Sequence, residues 1–162
     1  MKKLLLAAAT AACLLSACGT AQTTTAPTTA QTNMQSQIER NKANVLAFYD
    51  LAFNQHQPQQ AVARYIGNEY IQHNPSVADG GQAFIDVFAP FLQQHPQSRA
   101  EVKRVVAEGD LVVLHIFSRT SPQDRGRAIA DIFRLDKNGK IVEHWDVVQP
   151  LPEQSANNNS MF

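Results

Sequence analysis

From residue 100 to residue 149 the chain reads in period two with few interruptions. That pattern limits the fold more than any other feature, because alternation places successive side chains on opposite faces of a sheet. It predicts four strands, at residues 100–108, 111–119, 127–136 and 141–149. Gly109-Asp110 supplies one turn, the polar loop 120–126 a second, and Asn138-Gly139 a third. Connections this short place neighbouring strands side by side and antiparallel. The segment 111–119 is apolar on both faces, as a central strand would be.

The preceding segment is helical. Ile38, Val45, Leu46, Tyr49, Ala52 and Phe53 recur at three- and four-residue spacing, which predicts an amphipathic helix over 38–54. Pro58 opens a second, short helix over 58–66, and Gly67 can close it. Residues 69–73 form a short strand that ends at Asn74-Pro75. Asp79 can cap a third helix carrying Phe84, Val87, Phe88, Phe91 and Leu92, which Pro90 should kink or restart. Three helices followed by a run of strands is an α+β arrangement, with the helices on one face of a curved sheet.

Before this domain lies a leader. Lys2 and Lys3 precede a short apolar run from Leu4 to Leu15, too short for a comfortable membrane span. Leu15-Ser16-Ala17-Cys18 resembles a bacterial lipobox. The resemblance implies cleavage of residues 1–17 and lipidation of Cys18, with Gly19 in place of the Asp that marks inner-membrane retention. It implies a protein anchored by lipid in the bacterial cell envelope, at the outer membrane on the periplasmic side. The competing reading is an ordinary secretory signal cleaved near Ala17. Residues 18–37 are Thr-, Ala- and Gln-rich and read as a flexible linker. The domain spans 38–152, and residues 153–162, with three consecutive Asn, read as a disordered tail.

Both cysteines, Cys13 and Cys18, fall in the leader. The domain therefore has no disulfide, thiol nucleophile or thiolate metal site. Lys+Arg and Asp+Glu number 14 each, and loss of Lys2 and Lys3 leaves 12 basic against 14 acidic groups. That balance argues against a nucleic-acid partner.

Asp131 is the most informative residue within the domain. It sits in Ala128-Ile129-Ala130-Asp131-Ile132-Phe133 and shares a face with Ile129 and Phe133. Asp is rare in strands, and an unpaired buried carboxylate is costly. Such a residue faces solvent, is paired, or does chemistry; burial would make it a stronger general base. His115 shares a face with Val113 and Phe117, and can lie beside Asp131 if loop 120–126 joins neighbouring strands. A carboxylate beside an imidazole forms an acid–base pair; the alternative is a core His bonded to one partner. His73, at a strand end, is a rim residue or a turn residue. His56 and His95 read as solvated. The five His show no close His–His pair, so the case for a metal site is weak.

The last hairpin leaves two registers. If Asn138-Gly139 alone forms the turn, Asp131 faces Asp146 and His144 points into the pocket. If Asp136 to Gly139 form a type I turn with a Gly bulge, Asp131 faces Trp145. The second avoids opposing two like charges and is favoured. Trp145 then lines the pocket, and His144, Asp146 and Arg134 share the other face.

The segments 70–75, 109–113, 130–135 and 136–146 together resemble the SnoaL-like branch of the nuclear-transport-factor-2-like superfamily, over residues 38–150. The resemblance implies a cone: a curved antiparallel sheet with about three helices closing an apolar pocket, and dimers through the outer sheet face. Polyketide cyclases of that branch close a ring by aldol condensation without metal or cofactor. Their acid/base Asp matches Asp131, and an accompanying His matches His115. Tyr70, Phe117, Phe133 and Trp145 would wall a site for a small hydrophobic molecule, with His73 at its rim. Two other functions compete: a non-catalytic binder of an apolar ligand, and an envelope interaction protein acting through the outer sheet.

Overall fold

The computed structural model describes residues 28–162. The signal segment, the lipidation site Cys18 and the first part of the expected linker lie outside them. Helix α1 runs Thr29–Tyr49, so it starts well before the expected residue 38. Thr28 and Gln31 explain the early start. The Thr28 hydroxyl accepts from the Gln31 N–H while the Gln31 side chain accepts from the Thr28 N–H, a reciprocal cap that needs no apolar period. A wider π-helical turn, Asp50–Asn54, continues α1. Asn54 ends it by pairing both of its amide atoms with the backbone of Ala100, at 3.0 and 2.9 Å.

Helix α2 is Pro58–Tyr65 and passes straight into strand β1, Ile66–Gln72. Gly67, expected to close the helix, is instead a strand residue. Helix α3, Gly81–Gln94, begins after Gly80 and not at an Asp79 cap; the Asp79 carboxylate accepts from the Gln72 N–H at 2.7 Å. The helix continues through Pro90. Its interior proline removes one backbone donor without ending the element, because α3 holds its apolar face against the core at Phe84 and Leu92.

Strands β2 (Arg99–Glu108), β3 (Leu111–Arg119), β4 (Arg127–Leu135) and β5 (Ile141–Pro150) follow, close to their expected bounds. The sheet order is β1-β5-β4-β3-β2. All neighbours are antiparallel except β1, which runs parallel to β5, so the sheet is mixed and not purely antiparallel. The polypeptide between β1 and β5 is long enough for a parallel return, which a short hairpin would forbid. Irregularities at 102–104 of β2 and 141–143 of β5 increase twist and help the open sheet curve around the helices.

The core lies between the helices and the concave face. Val45, Phe48, Ala52 and Ala61 from the helical side meet Val112, Leu114, Ile116, Phe133, Leu135 and Ile141 from the sheet. The tail is not regular structure, but it returns to the convex face. Phe162 stacks on His115 and packs against Phe117, with ring centroids 5.4 and 5.1 Å apart.

Candidate active site

The inward-facing residues of β4 are Arg127, Ile129, Asp131, Phe133 and Leu135. Period two alone brings Asp131 into the cavity, and only 4 % of its surface is exposed. The cavity has a volume of about 180 Å³. Its helical wall is aromatic: Phe48, Phe53, Phe84 and Phe88 meet edge-on or tilted, with centroids 4.6–5.9 Å apart. Tyr70 and Phe133 line it, as expected from sequence.

The partner of Asp131 is not His115. In β3 the inward residues are Val112, Leu114 and Ile116, all fully buried, and Leu114 pairs with Asp131. His115 pairs with Ala130 and faces the convex side, where its Nδ1 lies 3.1 Å from Arg104 Nη1. Phe117 shares that outer face. A strand apolar on both sides carries no internal signal of which side is inner, so alternation alone does not decide whether His115 and Phe117 face inward or outward.

The last hairpin has the expected turn and the other register. The Gly139 N–H donates to Asp136 O at 2.9 Å, Gly139 has φ +80°, and Asp136 N–H donates to Lys140 O at 2.8 Å. This is the Asp136–Gly139 turn with its glycine bulge. A second bulge then intervenes: Leu135 pairs with Ile141, but Arg134 pairs with Glu143, leaving Val142 unpaired. The extra residue moves β5 on by one. Asp131 therefore faces Asp146, His144 faces inward opposite Phe133, and Trp145 faces outward opposite Ile132.

Trp145 and His73 are thus absent from the cavity. They stack on each other on the convex side, with ring centroids 4.7 Å apart and planes 7° from parallel. His73 Nε2 lies 2.9 Å from Glu143 Oε1, and Arg134 holds Glu143 Oε2 at 2.6 Å. Those two partners, His73 first, hold the Glu143 carboxyl below its ordinary range.

The residue that sequence reasoning placed on the wrong face is His144, 9 % exposed. Its Nε2 lies 3.2 Å from Asp131 Oδ1, and its Nδ1 lies 2.7 Å from Gln72 Oε1. Asn74 N–H donates to the same Gln72 oxygen at 2.9 Å, so that atom must be the carbonyl oxygen and not the amide nitrogen. Nδ1 of His144 therefore carries a hydrogen. Nε2 and Oδ1 then face each other across a hydrogen bond that needs one proton, shared by the pair.

Asp146 completes the cluster. Asn74 Nδ2 donates to its Oδ2 at 2.6 Å, while Asn74 Oδ1 accepts from Ser76 N–H at 2.9 Å, which fixes the amide's orientation. Two facing carboxylates repel; here one is held by His144 and the other by Asn74. Asp131, His144 and Asp146 each present one donor atom, all within 4.8 Å of one another, so they could also converge on a divalent cation. Inspection of His–His spacings alone does not find such a set, because it mixes one His with two carboxylates from adjacent strands.

Two phenols complete the polar end. Burial first, and then the charge of Asp131, push the Tyr49 hydroxyl well above its ordinary value. The same causes, in the same order, raise Tyr70. Both keep their protons at neutral pH. Gln72 Nε2 donates to the Tyr70 oxygen at 3.3 Å, leaving the Tyr70 hydrogen for another acceptor.

A helical layer closing a curved sheet over a cavity walled by aromatic rings and holding two carboxylates defines an α+β cone. The SnoaL-like domain profile matches residues 45–144, and the chain belongs to the SnoaL-like family. Among solved structures it is similar to AclR, a candidate hydroxylase from Streptomyces galilaeus, at 21% identity and TM-score 0.56, covering 71% of this chain and 82% of that one. It is similar to a candidate SnoaL-like polyketide cyclase from Jannaschia sp. CCS1, at 18% identity and TM-score 0.56, covering 68% and 85%. An NTF2-like protein of unknown function from Mesorhizobium loti aligns at 20% identity and TM-score 0.58, covering 70% and 93%. At these identities the likeness establishes the fold. Comparison with curated protein sequences finds no significant match.

Proposed function

We propose that this protein is a cofactor-independent acid/base enzyme acting on a small hydrophobic carbonyl compound, by aldol condensation, isomerisation or related proton-transfer chemistry. The observation that carries the reading is the buried Asp131–His144 pair, whose outer histidine nitrogen is fixed by Gln72. His144 holds Asp131 Oδ1, so Asp131 Oδ2 removes a proton from the carbon next to the carbonyl. The pair shares the proton already between them, and the imidazole offsets the charge beside Asp146. Tyr70 donates its hydrogen to the enolate oxygen as negative charge develops there. Tyr49, buried against Asp131, donates its hydroxyl hydrogen to that carboxylate and holds it in place. The aromatic wall holds the apolar part of the substrate.

The test reads proton abstraction without knowledge of the product. A panel of small hydrophobic ketones is incubated with the protein in D2O, and deuterium entry next to the carbonyl is followed by NMR. Exchange that disappears in Asp131→Asn supports the reading; no exchange with any ketone by a folded protein contradicts it.

We propose further that Cys18 is lipidated and tethers the domain to the outer membrane. The support is the register of Lys2-Lys3, the apolar run and Leu15-Ser16-Ala17-Cys18. Mass spectrometry should find a diacylglyceryl group on Cys18, and Cys18→Ala should release the protein from the membrane fraction. An unmodified Cys18 in the mature protein would contradict it.

A further inference from the structure

The cavity is polarised along β4. Its wall carries two acids, Asp131 and Asp146, and two arginines, Arg99 and Arg127; Asp131 is buried, Asp146 and Arg127 are half-buried, and Arg99 is exposed. Arg127 and Asp131 are four positions apart on the same face, a backbone spacing of roughly 13 Å at the rise of a strand. Between them the wall is apolar, formed by Ile129 and its cross-strand partner Val148.

Arg127 points inward by the same period two that places Asp131, and it is half-buried. Yet its guanidinium makes no hydrogen bond or ion pair among the described residues. The arginines in ion pairs among the described residues are Arg125, with Glu153, and Arg134, with Glu143. Asp124 feels the charge of Arg127, but its oxygens are taken by the Thr120 N–H and hydroxyl and by the Gly126 N–H. Arg99, exposed, gives one Nη1 hydrogen to the Ser98 carbonyl and forms no ion pair among the described residues. Ordering a long cationic side chain on the inner face of a strand costs conformational entropy, which the charge of Asp124, without a hydrogen bond, offsets only in part.

We infer that Arg127, assisted by Arg99, binds the carboxylate of an elongated substrate whose apolar chain runs over Ile129 and Val148. A guanidinium fork matches a carboxylate's two oxygens, and Ser118, paired with Arg127 across the sheet, offers a hydroxyl at the same level. The substrate class is therefore an oxo-carboxylic acid with its charge at Arg127 and its carbonyl at Asp131. Which end reacts rests on the acid/base reading above; the recognition of the carboxylate does not.

The probes are decanoate and the uncharged decanol, titrated calorimetrically into the full chain. Decanoate is expected to bind at least tenfold more tightly than decanol, as a hydrogen-bonded charge pair implies. Its affinity should fall with added NaCl while that of decanol does not, a comparison that needs no variant. Arg127→Gln should bring decanoate down to the affinity of decanol. Equal binding of the two probes by the wild type, no binding of decanoate, or unchanged decanoate affinity in folded Arg127→Gln would overturn the inference. The two readings fail separately. Absent deuterium exchange with the decanoate preference intact sinks only the acid/base role, and exchange without a carboxylate preference sinks only the anchor.

Discussion

His144 reaches Asp131 because Val142 bulges out of the β4–β5 ladder. Glycine bulge and second bulge together shift β5 so that position 144, and not 145, faces the cavity. The 3.2 Å contact between His144 Nε2 and Asp131 Oδ1 is thus a consequence of backbone register. It follows that His144, and not His115, should support turnover. His144→Gln should slow deuterium exchange by about 10²–10⁴-fold, the usual worth of a positioned acid/base group. His115→Ala should leave it within error, and NMR exchange rates for the two variants decide between them.

Gly67 packs against the bulge. A Cβ at that position would stand 2.9 Å from Val142 Cγ1 and 3.4 Å from the Ile141 carbonyl oxygen. Gly67→Ala should cost about 1–3 kcal/mol, the range for overpacking a filled site. It should also lower exchange activity, because the displaced residue sets the register of His144. Urea unfolding and the exchange assay on the same preparation check both. Lost stability with full activity would detach the bulge from the site.

Asp124 ties the 120–126 loop together. The Thr120 N–H first, then the Gly126 N–H and the Thr120 hydroxyl, lower its carboxyl from 3.8 to about 2. The folded value is the lower one, so ionised Asp124 stabilises the fold fully above about pH 4. That contribution fades as pH falls from there through 2. Near the surface, water screens such contacts, and Asp124→Ala should cost about 1 kcal/mol at pH 7. The gap between wild type and variant should shrink by pH 2.5, as measured by urea unfolding at both pH values.

Zinc should inhibit. Asp131, His144 and Asp146 offer donor atoms within 4.8 Å of one another, a mixed nitrogen and oxygen set that Zn²⁺ accepts. A bound cation would occupy the Asp131 oxygen and the His144 nitrogen that the proton shares. Exchange rates should fall on Zn²⁺ titration and return on adding EDTA. The loss of affinity in Asp146→Asn would locate the ion.

Much of the fold is legible in the sequence because its signals are local. The alternation through residues 100–149 gives four strands, and three-four spacing gives the helices. The inner face of β4 follows from Ile129, Asp131 and Phe133. What fails is non-local. The parallel pairing of β1 with β5 involves residues far apart in the chain. The inward side of β3 cannot be read from a segment apolar on both faces, so the expectation that His115 and Phe117 face the pocket does not hold. The Asp136–Gly139 turn is legible from its residue types; the second bulge at Val142, which lies against Gly67, is not. That single residue exchanges Trp145 for His144. Asp146 joins the site, and meets Asn74, only through that register, and two facing carboxylates are tolerated because Asn74 and His144 compensate them separately.

Deuterium entry next to the carbonyl of a bound ketone tests the central claim most directly. The account predicts exchange catalysed by the wild type, lost in Asp131→Asn and strongly reduced in His144→Gln, with all three proteins folded. Exchange that persists undiminished in folded Asp131→Asn would contradict it.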